Sequence, residues 1–242
     1  MKVTLINHTP EPEKMAAIAA RMCYTPKTAT EMMDNLTDEE IGRMVMKGIE
    51  SHHDSLFEHI TFTFVVEGVS RVLSHQFVRH RVGTTFHQKS QRHVKSSIFK
   101  ESVTPPSIAQ KPEALKEFRK ILREIDTAYE KLIAMGISKD DARFVYPNAT
   151  ETQLMVTMNA RQLIHFFSLR CCKRASWEIQ QMANLMLEEC RNVSPLIFNH
   201  VGPNCYLNNG RCPEGEMTCG DCSRMTERYL PEVFKEFMKE SN

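Results

Sequence analysis

The chain has 242 residues, 41% apolar and 25% charged, with a formal net charge of +1. That composition suits one globular domain with a substantial core, and the near-zero balance argues against a general nucleic-acid or membrane-surface binder, whose whole footprint would be basic. The opening residues carry too short an apolar run for a signal peptide and no stretch is long enough to span a bilayer, so the chain reads as cytoplasmic, its eight cysteines reduced, buried or metal-bound rather than paired.

In chain order, Lys2 to Ile6 reads as a first strand. Thr37-Asp38-Glu39-Glu40 is a capping box, and Ile41, Met44, Val45 and Ile49 follow at helical spacing. That helix should end near Ser51 and deliver His52 and His53 into a loop. Phe57 to Val66 has the aromatic and β-branched content of a buried strand. Val69, Leu73 and Phe77 then mark one helical stripe, while His75, Gln76 and Arg79 mark another. Pro112 opens a long amphipathic helix that Gly136 stops. Thr152 to Met158 reads as a strand, about Asn159 to Arg170 as a helix, and Trp177 to about Asn199 as a further helix. Past Val201 the composition shifts to Gly, Pro, Asn and Cys, and Met225 to Lys239 resumes a helical pattern. These elements predict an α+β, or mixed α/β, single domain with a central sheet flanked by long helices. Residues 1–200 form that domain, and 201–242 append a Cys-rich loop and a C-terminal helix.

Charge is concentrated between Gly68 and Lys100, which hold Arg71, Arg79, Arg81, Lys89, Arg92, Lys95 and Lys100 and not one Asp or Glu. Arginine presents a rigid fork of donors matched to phosphate or carboxylate, so the stretch is expected to hold an anion. A solvated basic face is the plainer alternative, but Val72, Leu73, Phe77 and Val78 make the approach to Arg79 partly apolar. Seven of the ten histidines fall between His52 and His93. Their spacing matches no helical ligand pair and their neighbours are arginines, which repel a cation, so an anion site or packed histidines explain them better than a metal.

The helix from Asn159 carries a second polar cluster. Asn159, Gln162 and Arg170 lie on one stripe, Arg161, His165 and Ser168 on another, with Ala160, Leu163, Ile164 and Phe167 as the core side. An amphipathic surface helix and a recognition site explain that pattern equally well. The chain has neither Gly-x-Gly-x-x-Gly nor a Gly-rich loop ending in Gly-Lys-Ser/Thr. The phosphates of any nucleotide cofactor would therefore be held by side chains.

Three blocks of residues carry a resemblance. Arg79-His80-Arg81 followed by Ser90-Gln91-Arg92, the upstream segment His53-Asp54-Ser55-Leu56-Phe57-Glu58-His59, and Asn159-Ala160-Arg161 through Arg170 to Trp177-Glu178-Ile179-Gln180 occur in order. They resemble the flavin-dependent thymidylate synthases over residues 53 to 180. Eight residues, Val82 to Lys89, separate Arg81 from Ser90 where that family usually has seven. Thr84 stands where serine is common, His93 where tyrosine is, and His165 where asparagine is.

The resemblance implies reductive methylation of dUMP to dTMP, with methylenetetrahydrofolate supplying the carbon, NADPH reducing FAD and the flavin delivering hydride. It also implies a homotetramer whose sites draw on several subunits. Residue by residue, it implies that Gln76, Arg79, Gln88, Ser90, Arg92 and Arg143 bind dUMP. Ser55, Glu58, Arg79, His80, Arg81, Gln88, Asn159, Arg161 and His165 would line the flavin, with His53 near its ring. Arg170, with Ser90 and His53, would serve catalysis, Arg170 by stabilising uracil deprotonated at N3, as a fixed guanidinium beside a developing anion does. Cys171 and Cys172 adjoin Arg170 and read as buried packing.

Cys205, Cys212, Cys219 and Cys222 stand apart in the Gly- and Asn-rich tail, where four thiolates would suffice for a structural zinc. Free thiols in a stiff loop are the alternative. Two rival functions stay open on residues alone: a non-enzymatic nucleic-acid binder with a small zinc site, and a metal-dependent nucleotide hydrolase built on the histidines.

Overall fold

The computed structural model describes residues 1–94, 97–208 and 210–222. The helix expected over Met225 to Lys239 lies outside them. The elements are β1 (Lys2–His8), α1 (Pro12–Met22), α2 (Ala29–Asn35), α3 (Asp38–Glu50), β2 (Thr61–Ser70), α4 (Arg71–Phe77), β3 (Thr84–Gln88), the single turn α5 (Pro106–Ala109), α6 (Pro112–Ala134), the single turn α7 (Lys139–Ala142), β4 (Glu151–Asn159), α8 (Ala160–Arg170), α9 (Trp177–Val193) and the single turn α10 (Pro195–Phe198). Strands pair in the order β1-β2-β4-β3. Each pairing is antiparallel. Thr9 and Thr61 meet at one end of the first pair while Met1 lies against Gly68 at the other, and the links Thr63 to Thr157, Arg71 to Thr150, Asn159 to Gly83 and Lys89 to Gln153 run in opposite senses. The chain is mixed α/β, as expected.

Most element boundaries follow from local chemistry. The Thr37 side chain caps α3 and Glu40 returns the bond, the capping box read from sequence. An identical device, Thr28 with Glu31, opens α2, a helix that the sequence reading passed over. Two expectations need correction. Asp54–His59 is a 3-10 helix, so the strand expected from Phe57 begins at Thr61 and continues to Ser70. Ser70 then ends the strand and starts α4, its hydroxyl accepting from Leu73 N at 3.1 Å. The helix expected to run to Asn199 stops at Val193, because Pro195 has no N–H to donate and disfavours helical backbone at Ser194, which sits at φ −141° and ψ 72°. Glu13 caps the turn that follows, accepting from Leu196 N at 2.7 Å and the Ser194 hydroxyl at 3.2 Å. Burial nonetheless pushes the Glu13 carboxyl above the usual carboxylate range.

The chain divides into two compact units. One comprises Met1–Lys2, Val66–Arg79 and Phe86–Met155. Its core is the inner face of α6 with Ile98, Leu122, Tyr129 and Ala142, flanked by Phe118, Ile125 and Leu132. The other comprises Val3–Val65, His80–Thr85 and the chain from Val156 onward. Here Phe62 meets Phe198 edge-on at 5.4 Å, and Phe167 packs on the same ring. Among the described residues no helix is long and apolar enough to cross a membrane.

In the second unit Gly83 approaches the end of β4 closely. It has φ +60°, its carbonyl accepts from Asn159 N at 2.9 Å, and an added Cβ would lie 2.7 Å from Asn159 Cγ. Gly136, at φ +83°, faces open space. Gly83→Ala should therefore cost more stability than Gly136→Ala: roughly 2–4 kcal/mol against about 1 kcal/mol, the left-handed penalty alone. Urea denaturation of both variants at unchanged m-value measures this, and equal costs would remove the role given to the Gly83–Asn159 contact.

Candidate functional site

In the second unit, the polar residues of α8 are aimed by the junction that precedes the helix. Asn159 ends β4 in extended backbone and caps α8, its Oδ1 accepting from Gln162 N at 2.8 Å. Ala160 N donates to Ile60 O at 2.8 Å, so the first turn is held from two sides. With that start set, Leu163, Phe166 and Phe167 go inward and Arg161 and His165 outward. Gln162 and Ser168, read from sequence as members of the two polar stripes, are buried at 7% exposure each, and Phe166 joins the core in place of the half-buried Ile164.

Burying Gln162 matters because it faces His80. The His80 ring is buried, stands edge-on to Phe166 at 5.0 Å, and accepts a hydrogen bond at Nε2 from Arg170 Nε at 3.0 Å. A guanidinium N–H can only donate, so Nε2 carries no proton and the neutral ring is protonated at Nδ1. Gln162 Nε2 stands 3.5 Å from Nδ1, and exchanging the oxygen and nitrogen of that carboxamide brings an acceptor to the proton. Burial first, then the charges of Arg170 and His165, lower the His80 pKa from 6.5 to about 4. A neutral imidazole thus orients the half-buried cation Arg170, whose own pKa burial lowers.

Three cavities of this unit carry residues expected from sequence at the site. Asn159, Arg161, Gln162, His165 and Glu58 line one of about 520 Å³, in which Glu58 and Arg161 form an ion pair. His53 and Ser55 line a separate cavity of about 470 Å³ with Arg21, Tyr24 and Lys47. Arg170 and Ser168 border a third, with the cysteines of the tail. The flavin residues expected from sequence are therefore divided between cavities. Arg81 is exposed.

In the first unit, Gln88 lies with Arg71, His75 and Asn148 around a cavity of about 160 Å³ and donates to Thr152 Oγ1 at 3.1 Å. Burial, then the charge of Arg143, lowers the Arg71 pKa. Arg143 holds Asp140 in a two-pronged contact, Nε to Oδ1 at 3.0 Å and a terminal nitrogen to the same oxygen at 2.8 Å, and Arg92 reaches Oδ2 at 3.8 Å. One carboxylate thus serves two arginines, leaving surplus positive charge for an anion. The Ser90 hydroxyl accepts from Arg92 N at 3.2 Å, while Ser90 and Arg79 are exposed and Gln76 is half-buried. Sequence reasoning counted Arg71 in the basic stretch without singling it out, and it missed His75 and Asn148 as cavity residues. For Arg71 and His75 the signal was the shared face of α4, where they stand four residues apart.

The cysteines Cys205, Cys212, Cys219 and Cys222 converge on the third cavity, together with Cys172. Among the described residues, however, no three His, Cys, Asp or Glu side chains form a group that could hold a metal ion, so the zinc expectation finds no support here. Cys171 is fully buried, and all eight cysteines are thiols.

Comparison with known proteins is consistent across nearly the whole chain. A family model described as thymidylate synthase complementing protein matches residues 4–196. Two relatives named flavin-dependent thymidylate synthase are similar throughout. That of Clostridium tetani is 41% identical over 246 residues, covering 95% of this chain and 97% of its own. That of Geobacter sulfurreducens is 43% identical over 231 residues, covering 95% and 98%. A crystal structure of a UMP/dUMP methylase from Streptomyces cacaoi bound with 5-Br dUMP shares the fold with a TM-score of 0.68 at 22% identity, over 81% of this chain and 92% of that one.

The depressed His80 pKa has a thermodynamic consequence. Unfolding returns the ring to about 6.5, so the stability tied to neutral His80 is complete above pH 6.5 and is lost as pH falls toward 4. His80→Gln should flatten the decline in stability of the ligand-free protein across that window. Urea denaturation at several pH values tests this, and an identical decline in wild type and variant would reject the assignment.

Proposed function

The chain belongs to the thymidylate synthase complementing protein family, that of the flavin-dependent thymidylate synthases, and on that premise we propose that it converts dUMP to dTMP by reductive methylation. FAD, NADPH and methylenetetrahydrofolate are the cofactor and co-substrates in this reading. The observation that carries it is Arg170, a half-buried guanidinium held in place through Nε by neutral His80. Its remaining N–H groups are free of that task and suit a planar anion such as uracil deprotonated at N3. Removing that proton raises electron density at C5, the carbon to be methylated.

The cavity beside α8 fits a nucleotide-type flavin. Its Asn159 amide, Arg161 guanidinium and His165 imidazole offer cationic and neutral donors to phosphate and ring edge, and Glu58 holds Arg161 in position. The flavin, when bound, supplies the hydride chemistry that no side chain provides. His53, Ser55, His80 and Arg81 complete that set, with Arg79 and Gln88 shared between flavin and substrate. For dUMP, Arg143, Arg92, Ser90, Gln88, Gln76 and Arg79 are the proposed ligands, and the small cavity at Gln88 adds Arg71 and His75 to the positive field that would draw its phosphate. A homotetramer with sites shared between subunits belongs to the same proposal. The reading also places the protein in the cytoplasm.

Purified protein mixed with FAD should show an oxidised-flavin spectrum that NADPH bleaches. Arg170→Ala should retain that spectrum yet lose dTMP formation by about 100-fold or more, as removal of a donor to a developing anion does. Turnover at the wild-type rate would refute the role of Arg170, and failure to take up FAD would refute the reading as a whole. Cys171→Ala and Cys172→Ala should each leave turnover within about threefold, since neither thiol is assigned chemistry.

A further inference from the structure

The described part of the cysteine-rich tail is fastened to the turn between α8 and α9. Arg174 donates to the Met217 carbonyl, and Lys173 pairs with Asp221. This docking brings five cysteines, Cys172, Cys205, Cys212, Cys219 and Cys222, to one cavity of about 310 Å³ that Arg170, Lys173 and Arg174 also line. The cysteines are not equivalent. Cys222 lines the same cavity as Cys205 and Cys212 and is near enough to influence both thiols, and its sulfur lies 3.9 Å from the Thr218 hydroxyl. Cys205 is buried, whereas Cys212 and Cys222 are half-exposed.

We infer that Cys212 and Cys222 are a redox-active dithiol, oxidised to an intramolecular disulfide by low-molecular-weight disulfides. Accessibility, nearby cations and a neighbouring thiol in contact are the features of such a site. The acidities agree with the order of events. Hydrogen bonds from the Thr218 hydroxyl and Glu214 N–H lower the Cys212 pKa, which favours Cys212 as the attacking thiolate. Burial, then the charge of Cys222, raises Cys205 to about 11 and keeps it a thiol. The Cys212 thiolate attacks one sulfur of the reagent disulfide, its S–S bond breaks, and one thiolate leaves to be protonated. Cys222 then gives up its proton and attacks the Cys212 sulfur, expelling the second reagent thiol. Two protein thiols are oxidised to one disulfide, and one reagent disulfide is reduced to two thiols.

The test uses the full chain, reduced and then exposed to oxidised glutathione at about neutral pH, with alkylation, intact mass and peptide mapping. The expected product is lighter by two hydrogens, carries one Cys212–Cys222 cross-link and reverts with dithiothreitol. Cys222→Ser should instead stop at a stable glutathione adduct on Cys212, and Cys205→Ser should still form the cross-link. The inference fails if wild type retains the adduct unresolved, if the cross-link uses Cys205 or Cys219, or if no thiol reacts. It also fails if the purified chain holds about one zinc that shields these cysteines, since the tail would then be a metal site. Wild-type mapping alone distinguishes these outcomes, so they remain distinguishable even where a variant misfolds.

Discussion

The junction at Asn159 sets the geometry of the second unit. One residue ends β4, receives Gly83 against its side chain, donates its N–H to the Gly83 carbonyl and caps α8 through Oδ1. A strand has a side-chain period of two and a helix one of 3.6, so the handover residue decides which α8 positions face inward. A rotation of one residue, about 100°, would turn Arg161 toward the aromatic core and carry one of Gln162 and Ser168 out to solvent. The device is economical, because Gly83 permits the close approach only by lacking a Cβ, and it does so at a left-handed φ that glycine adopts without strain.

Electrostatics in the two units follow different designs. Around α8 the cation Arg170 is oriented by a neutral partner, and burial keeps that partner neutral. A carboxylate in the same position would fix the arginine as firmly but neutralise it, leaving less attraction for an anionic ligand. In the first unit Asp140 does accept from Arg143 and pairs with Arg92, yet it faces two guanidinium groups, with Arg71 close by, so net positive charge remains. Both arrangements hold arginine in place without cancelling it.

Much of this was legible because it depends on neighbours in sequence. Thr37 and Glu40 announce α3, and Pro112 and Gly136 bracket α6, through bonds made within a few residues. The same local signal stands at Thr28 and Glu31, which open α2. The strand at Phe57 failed for a physical reason. Aromatic and β-branched content marks burial as readily as strand, and Phe57 is buried within a 3-10 helix. Pro195 carried its own warning, and helical periodicity on both sides of it masked the break.

By itself the sequence determined the mixed α/β class, the main helices and, through Arg79-His80-Arg81, Ser90-Gln91-Arg92 and the segments around them, the family. Each of these is set by local hydrogen bonding, by side-chain period or by residue chemistry, none of which needs a distant partner. Only the tertiary structure decided that His80 faces Gln162 and Arg170, 82 and 90 positions away in sequence, and is therefore neutral. The same holds for Cys172, which joins the tail cysteines at one cavity, and for the division of the expected flavin residues among separate cavities. Protonation, orientation and shared cavities depend on burial and on which groups meet across the fold, and those are properties of packing in space rather than of order along the chain.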